Sequence, residues 1–135
     1  MKIVFVSDFG PRKTGLVVCN LDVIKMFPEY SWIQVKATGV INILLIPLKL
    51  LIYRRRTRYL YATISDNYVG FLKDVVTLLP AKVLGYRVVA HSHSGSVHHF
   101  IKSGLLSFFY SHCIDRLILL SELFKVPVRN TVVIA

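Results

Sequence analysis

Six short runs of β-branched, aromatic and aliphatic residues recur along this chain, with helical segments or turns between them. The runs are KIVFVS at 2–7, SWIQVK at 31–36, YLYATI at 59–64, YRVVAH at 86–91, DRLILL at 115–120 and NTVVI at 130–134. The first is β-branched and aromatic throughout, the mark of a strand covered on both faces. Leu16, Val17, Leu21, Ile24 and Met26 or Phe27 then recur at helical spacing, and Pro28 stops that helix. Val40 to about Arg55 reads as one long apolar helix with a basic tail, kinked or started late at Pro47. A helix over 69–84 is bent or divided by Pro80 and closed by Gly85; a fourth helix covers 97–112, and 121–125 is a helical turn. Strands joined through helices need crossover connections, so the sheet is parallel. The expectation is a doubly wound α/β fold of about six strands with helices on both faces, formed by 1–135 as one domain.

Composition narrows the function. With 135 residues, 54% of them hydrophobic, and a mean hydropathy of +0.56, the chain has ample apolar surface to bury and is not disordered. The charge is lopsided, 17 Lys and Arg against 7 Asp and Glu, a formal +10. That balance points to an anionic partner: a phosphorylated ligand, an anionic membrane face or nucleic acid. Cys19 and Cys113 have no CxxC spacing and read as reduced core thiols of a cytosolic protein. Asp8 interrupts the first apolar run too early for a signal peptide. The stretch VINILLIPLKLLI, with Pro47 and Lys49 inside it, is shorter than the roughly 20 apolar residues a spanning helix needs. A peripheral or soluble chain is expected, and its end directly after an apolar strand suggests that more normally follows.

In doubly wound sheets ligands bind at the carboxyl ends of the strands, so the loops there hold the candidate site residues. The first loop is Gly10-Pro11-Arg12-Lys13-Thr14-Gly15. Leu16-Val17 replace the Lys-Ser/Thr of a P-loop, and no GxGxxG is present. A glycine-bounded basic loop at a helix start suits an anion; a plain turn is the competing reading. Ser65, Asp66 and Asn67 follow the third strand: helix capping accounts for one of them and leaves two for a ligand. After the fourth strand come His91, His93, Gly95, His98 and His99. A metal site lacks an acidic or Cys ligand here, so a histidine hydrogen-bonding in a cleft, with Gly95 allowing close approach, is favoured. Ser121 and Glu122 stand just past the fifth strand, where an N-cap role competes with ligand binding. Lys49, Arg54, Arg55, Arg56 and Arg58 form a cationic cluster behind an apolar segment, a pattern shared by helices lying on anionic lipid and by core helices with wet basic ends. No nucleic-acid-binding motif accompanies it.

Read in order, KIVFVSDFGPRKTG, YLYATISDNYVGFLKD, VVAHSHSGSVHHF, DRLILLSELFK and NTVVI resemble the amino-terminal domain of a family 4 glycosyltransferase of the two-domain GT-B type. The resemblance implies a Rossmann-like, acceptor-side half whose carboxyl-terminal donor domain is absent, working in surface polysaccharide or glycolipid synthesis. It implies retaining hexosyl transfer from a nucleotide sugar, bound only with the missing domain, to a glycan or lipid-linked acceptor. The isolated chain would then be inactive, cytoplasmic and peripheral on the inner face of the plasma membrane, with no cofactor, metal or nucleic acid. Gly15 and its loop would face the interdomain cleft, and His93 would border the reacting sugar as the catalytic residue. Thr14 stands where the family has the first of two glycines, and Ser94 where it often has Gly. Two alternatives stand beside this: a non-catalytic basic α/β module docking on anionic membrane or a phosphorylated ligand, and a metal enzyme using the histidines. For the first loop, an Arg12→Ala, Lys13→Ala variant is expected to lose phosphate-dependent thermal stabilisation of the parent, measured by differential scanning fluorimetry.

Overall fold

The structure is a computed structural model, and it describes residues 1–10, 14–102, 104–119, 121, 123, 126–129 and 131–133. Six strands form one sheet: β1 (Lys2–Ser7), β2 (Ser31–Lys36), β3 (Tyr59–Thr63), β4 (Arg87–His91), β5 (Arg116–Leu119) and β6 (Thr131–Val133). Their order is β2-β1-β3-β4-β5-β6, and every pairing is parallel. The sequence therefore located all six strands, with ends moved by at most one or two residues. The chain runs to one side of β1 first and to the other side afterwards. With right-handed crossovers, that reversal puts α1 (Gly15–Met26) on one face and the later helices on the opposite face. This is the doubly wound Rossmann-like α/β fold.

Strand alternation builds the main core. Val4, Val6, Val35, Leu60, Ala62, Val88, Ala90, Leu117 and Leu119 belong to one buried cluster with Ile46, Leu50, Leu78 and Tyr110 from the helices. Each buried Leu or Ile contributes about 1.5–3 kcal/mol through the water it no longer contacts. The opposite sheet face carries Phe5, Trp32 and Tyr61 with centroids 4.7–6.1 Å apart; Tyr61 meets both other rings edge-to-face, and Phe5 and Trp32 are tilted.

Three helical expectations need correction. The apolar segment after β2 is two helices, α2 (Val40–Leu44) and α3 (Ile46–Tyr53), separated at Leu45. Pro47 sits in the first turn of α3, where its missing N–H costs nothing. Ile46 and Leu50 are buried there, whereas Ile41, Leu44, Leu48 and Leu51 are exposed on the outer side. The next helix, α4 (Tyr68–Val83), stays continuous through Pro80, which lies in its last turn. The segment after β4 is divided into α5 (Val97–Phe100) and α6 (Leu105–Cys113), with Gly104 between them at φ 71°. Only glycine adopts that φ without strain, so it marks the break. Glu122, Phe124 and Lys125, most of the expected helical turn, lie outside the described residues.

Two glycines make contrasting predictions. A Cβ on Gly70, in the first turn of α4, would lie 2.3 Å from Ser65 Cβ, whereas one on Gly15 meets nothing within 4 Å. Gly70→Ala is expected to cost about 1–3 kcal/mol despite alanine's helix preference. Gly15→Ala is expected to leave stability unchanged or raise it by up to about 1 kcal/mol. Urea denaturation of both variants checks the pair.

Candidate functional site

The chain's reversal between β1 and β3 opens a crevice at the carboxyl ends of those strands, because their following segments leave toward opposite faces. A cleft of ≈ 590 Å³ occupies that place. Gly15, Leu16 and Cys19 of α1 form one wall, 63–67 and Lys73 form the floor and second wall, and His93 and Ser94 close the third side.

A buried polar network anchors α1 to the strand ends. The Ser7 and Thr63 hydroxyls are 2.6 Å apart, linking β1 to β3. Asn20 Nδ2 donates to Ser7 Oγ at 2.7 Å and to the Asp8 carbonyl at 2.8 Å. Asn20, Ser7 and Thr63 are all buried. Thr14 caps the helix, its Oγ1 accepting from the Val17 N–H at 3.3 Å. Gly10 N–H donates to Asp8 Oδ1 at 2.7 Å, which closes the start of the loop. Arg12 and Lys13 lie outside the described residues.

The three polar residues after β3 divide their work. Asn67 is the N-cap of α4, its Oδ1 accepting from Gly70 N–H at 2.8 Å. The Ser65 N–H donates to Asp74 Oδ2 at 2.8 Å. Asp66 is left facing the cleft, where its Oδ2 accepts from the hydroxyls of both Ser94 and Ser96. Those two hydroxyls hold its carboxyl below the usual carboxylate range, so it is ionised at neutral pH. A carboxylate has about four acceptor positions, so Asp66 retains capacity for a ligand donor.

Lys73 is a cleft residue that the reading of the loops passed over. Its ammonium donates to the Thr63 carbonyl at 2.8 Å and sits 3.0 Å from Asp74 Oδ1. Two of its three N–H donors are thereby used, and the side chain is mostly buried. The signal was an adjacent Lys-Asp pair on an otherwise apolar helix.

His91 and His93 stack with centroids 4.0 Å apart. Tyr61 Oη and His91 Nδ1 are 2.7 Å apart, while the Nε2 atoms of both histidines are buried without a hydrogen-bond partner. Burial, aided by the neighbouring His93, lowers His91 to about 4, and burial lowers His93 as well. Both rings are therefore neutral at pH 7. His98 and His99 form a separate stacked pair in α5, with His98 Nδ1–H donating to the Gly95 carbonyl at 2.7 Å. Gly95 is exposed and does not line the cleft. Among the described residues, no three His, Cys, Asp or Glu side chains come together as a metal site. Ser121 Oγ accepts locally from the Leu123 N–H at 3.2 Å and is not a cleft residue; Glu122 is outside the described residues.

Two expectations about thiols and cations change. Cys113 is buried as expected, but Cys19 is exposed and stands on the cleft wall. The basic cluster after α3 does not act as one patch. Arg54 Nε donates to the Leu84 carbonyl at 2.5 Å, and its guanidinium lies 6.0 Å from the Tyr86 ring centroid. Arg55 lies beside Leu51 and Ile52, whereas Arg56 and Arg58 turn to the amino ends of the strands. Lys49 is half-buried within α3. Among the described residues, no helix is long and apolar enough to cross a membrane.

No protein-family model matches this chain, and no curated protein matches it. The fold does match a solved structure, the 2-deoxyribosyltransferase of the psychrotolerant bacterium Bacillus psychrosaccharolyticus, a biocatalyst for nucleoside synthesis. The identity is 14%, the TM-score 0.55, and the match covers 87% of this chain and 85% of that one. This finding corrects the family reading: the neighbour is a nucleoside-directed enzyme and not a GT-B glycosyltransferase. The expected acceptor-side half-enzyme for polysaccharide or lipid-linked acceptors is withdrawn with it, and the binding-module alternative gains no support. The physical reason is that the resembling motifs are strand-end loops, and such loops recur on doubly wound sheets serving unrelated chemistries.

The buried histidines set an acid limit on stability. Their native affinity for protons is below that of the unfolded chain, so the unfolded state binds more protons as pH falls from about 6.5 toward 4. The melting temperature is expected to fall through that window, and less steeply in His91→Gln. Thermal melts at half-unit pH steps check this.

Proposed function

We propose that the cleft binds a nucleoside through its sugar and serves transfer of the pentosyl group from one base to another. The observation that carries this reading is the ionised Asp66 carboxylate, held by Ser94 and Ser96 in a cleft shared with Lys73 and His93. The fold shared with a 2-deoxyribosyltransferase supports it. The local charge also favours a neutral, hydroxyl-bearing ligand over a polyanion. The described cation at the cleft, Lys73, is already paired with Asp74, and Asp66 adds a second carboxylate.

The chemistry follows from these groups. Breaking the bond between a sugar's anomeric carbon and a base nitrogen leaves positive charge on the sugar, and its electron pair departs with the base. A fixed carboxylate stabilises that developing charge more in a walled cleft than in water. The departing nitrogen must gain a proton, which solvent supplies, while the neutral imidazole of His93 can donate a hydrogen bond to it. The second base then closes on the same carbon and releases its proton. Lys73 and Ser65 hold the floor in place, so orientation is built in before the ligand arrives.

The test is base exchange, followed by chromatography after mixing the protein with a deoxynucleoside and a different free base. The wild type is expected to form the second nucleoside, and Asp66→Asn to lose the activity by about 10²-fold or more. Binding through the carboxylate should persist from pH 8 to 5, since Asp66 titrates below the ordinary carboxylate value of 3.8. Exchange unaffected by Asp66→Asn, or no nucleoside binding at all, would overturn the assignment.

A further inference from the structure

The central strands open on cations. Lys2 begins β1, Arg58 immediately precedes β3, Arg87 begins β4 and Arg116 begins β5. These four strands are consecutive in the sheet, in the order β1-β3-β4-β5. Neighbouring strands lie about 4.8 Å apart, so these strand starts span about 15 Å across the amino-terminal edge, in steps: Val4 pairs with Leu60, which sets Lys2 beside Arg58, while Arg116 pairs with Val89, two residues past Arg87. This edge is the opposite end of the strands from the cleft.

Register sets which side chains share a face. Tyr59 pairs with Arg87, and Val89, two residues on from Arg87, pairs with Arg116. Side chains two apart point the same way, so Tyr59, Arg87 and Arg116 project to one face, while Lys2 and Arg58 belong to the other and meet Arg87 around the strand ends, where all three line one hollow. Two adjoining hollows of ≈ 390 and ≈ 430 Å³ lie along the edge and share Tyr59 and Arg87. The first also takes in Lys2, Arg56 and Arg58, the second Arg116 and Asp115.

The row is rigid underneath and unneutralised above. Buried Thr57 donates its hydroxyl to the Lys2 carbonyl at 2.5 Å and accepts from the Tyr59 N–H at 3.1 Å. The Arg87 N–H donates to the Arg58 carbonyl at 2.7 Å. Among the described residues, none of Lys2, Arg56, Arg58, Arg87 or Arg116 has a carboxylate partner. Asp115, the carboxylate lining the second hollow, is committed to the Val88 N–H at 2.7 Å and faces Lys82 at 3.8 Å. Five like charges held on a fixed edge repel one another, and a multiply charged anion relieves that repulsion. Guanidinium groups suit phosphate oxygens because their donors are forked and planar.

We propose that this amino-terminal edge is a binding site for a small oligophosphate with three or more negative charges, taken end to end along the row. The exposed Tyr59 ring beside Arg87 gives a stacking platform if the oligophosphate carries a base. The shared chemistry is the phosphate chain, supplied either as free oligophosphate or as a nucleoside triphosphate.

Isothermal titration of the full chain at fixed ionic strength tests the site, with tripolyphosphate, a nucleoside triphosphate, sulfate and an oligothymidylate as probes. Saturable tripolyphosphate binding is expected, weakened at least tenfold in Arg87→Gln, Arg116→Gln, with nucleoside binding at the cleft unchanged. Arg87→Lys, Arg116→Lys, which keeps the charge but not the fork, should lose less. Triphosphate binding tighter than tripolyphosphate, and reduced by Tyr59→Ala, identifies the nucleotide form; equal binding identifies the free anion. Sulfate binding as tightly as tripolyphosphate, indifference to the Gln variant in a chain with a native circular dichroism spectrum, or much tighter oligothymidylate binding would each overturn the proposal.

Discussion

The Asp74 carboxylate is the tie on which the cleft depends. It is almost fully buried on α4, yet it receives the Ser65 N–H, the Tyr110 hydroxyl and the Lys73 ammonium. Burial pushes its pKa up, while Lys73 and the two hydrogen bonds pull it back. A buried charge left without partners costs several kcal/mol, so these groups are held together or not at all. Through this one side chain the loop after β3, the helix α4 and the helix α6 are locked in a single arrangement. Asp66 is thereby spared the cap, taken by Asn67, and the anchor, taken by Ser65, and it faces the cleft while tying Ser94 and Ser96 to the loop.

The two ends of the sheet have opposite electrostatic character. At the carboxyl end, among the described residues lining the cleft, Asp66 and the Lys73–Asp74 pair leave local charge that is neutral to negative. At the amino end, five cations stand without a carboxylate partner among the described residues. Much of the overall +10 therefore stands away from the described cleft residues, where the proposed oligophosphate would meet it. Charges separated by the length of the strands are screened from one another at physiological salt, so the two sites can be filled independently.

The histidines show how far residue type can be read. Four of the five fall within nine residues, which looks like a ligand set. In the fold they become two stacked pairs, one buried against Tyr61 and one in α5. Proximity along the chain put them near one another, but ligation needs three or more convergent donors, and among the described residues no third ligand joins either tilted pair.

All six strands, α1, α4 and the loops that carry ligands were legible before any coordinates, because periodicity, proline position and capping act within a few residues. The exceptions were also local in origin. The break at Leu45 precedes Pro47, which has no N–H to give the Ile43 carbonyl, and Gly104 divides the segment before β5 at a positive φ. Pro80 removes one N–H from α4, yet the helix runs on through it to Val83. The strand-end motifs suggested one family, while the fold agrees with an enzyme of different chemistry. Sequence by itself determined the order and type of the elements and the end of the sheet where a ligand would sit. Only the tertiary structure brought Lys73 to Asp66's cleft, turned Cys19 outward and gathered Lys2, Arg58, Arg87 and Arg116 at one edge. Those juxtapositions rest on parallel register between strands 25 or more residues apart, which no local pattern encodes.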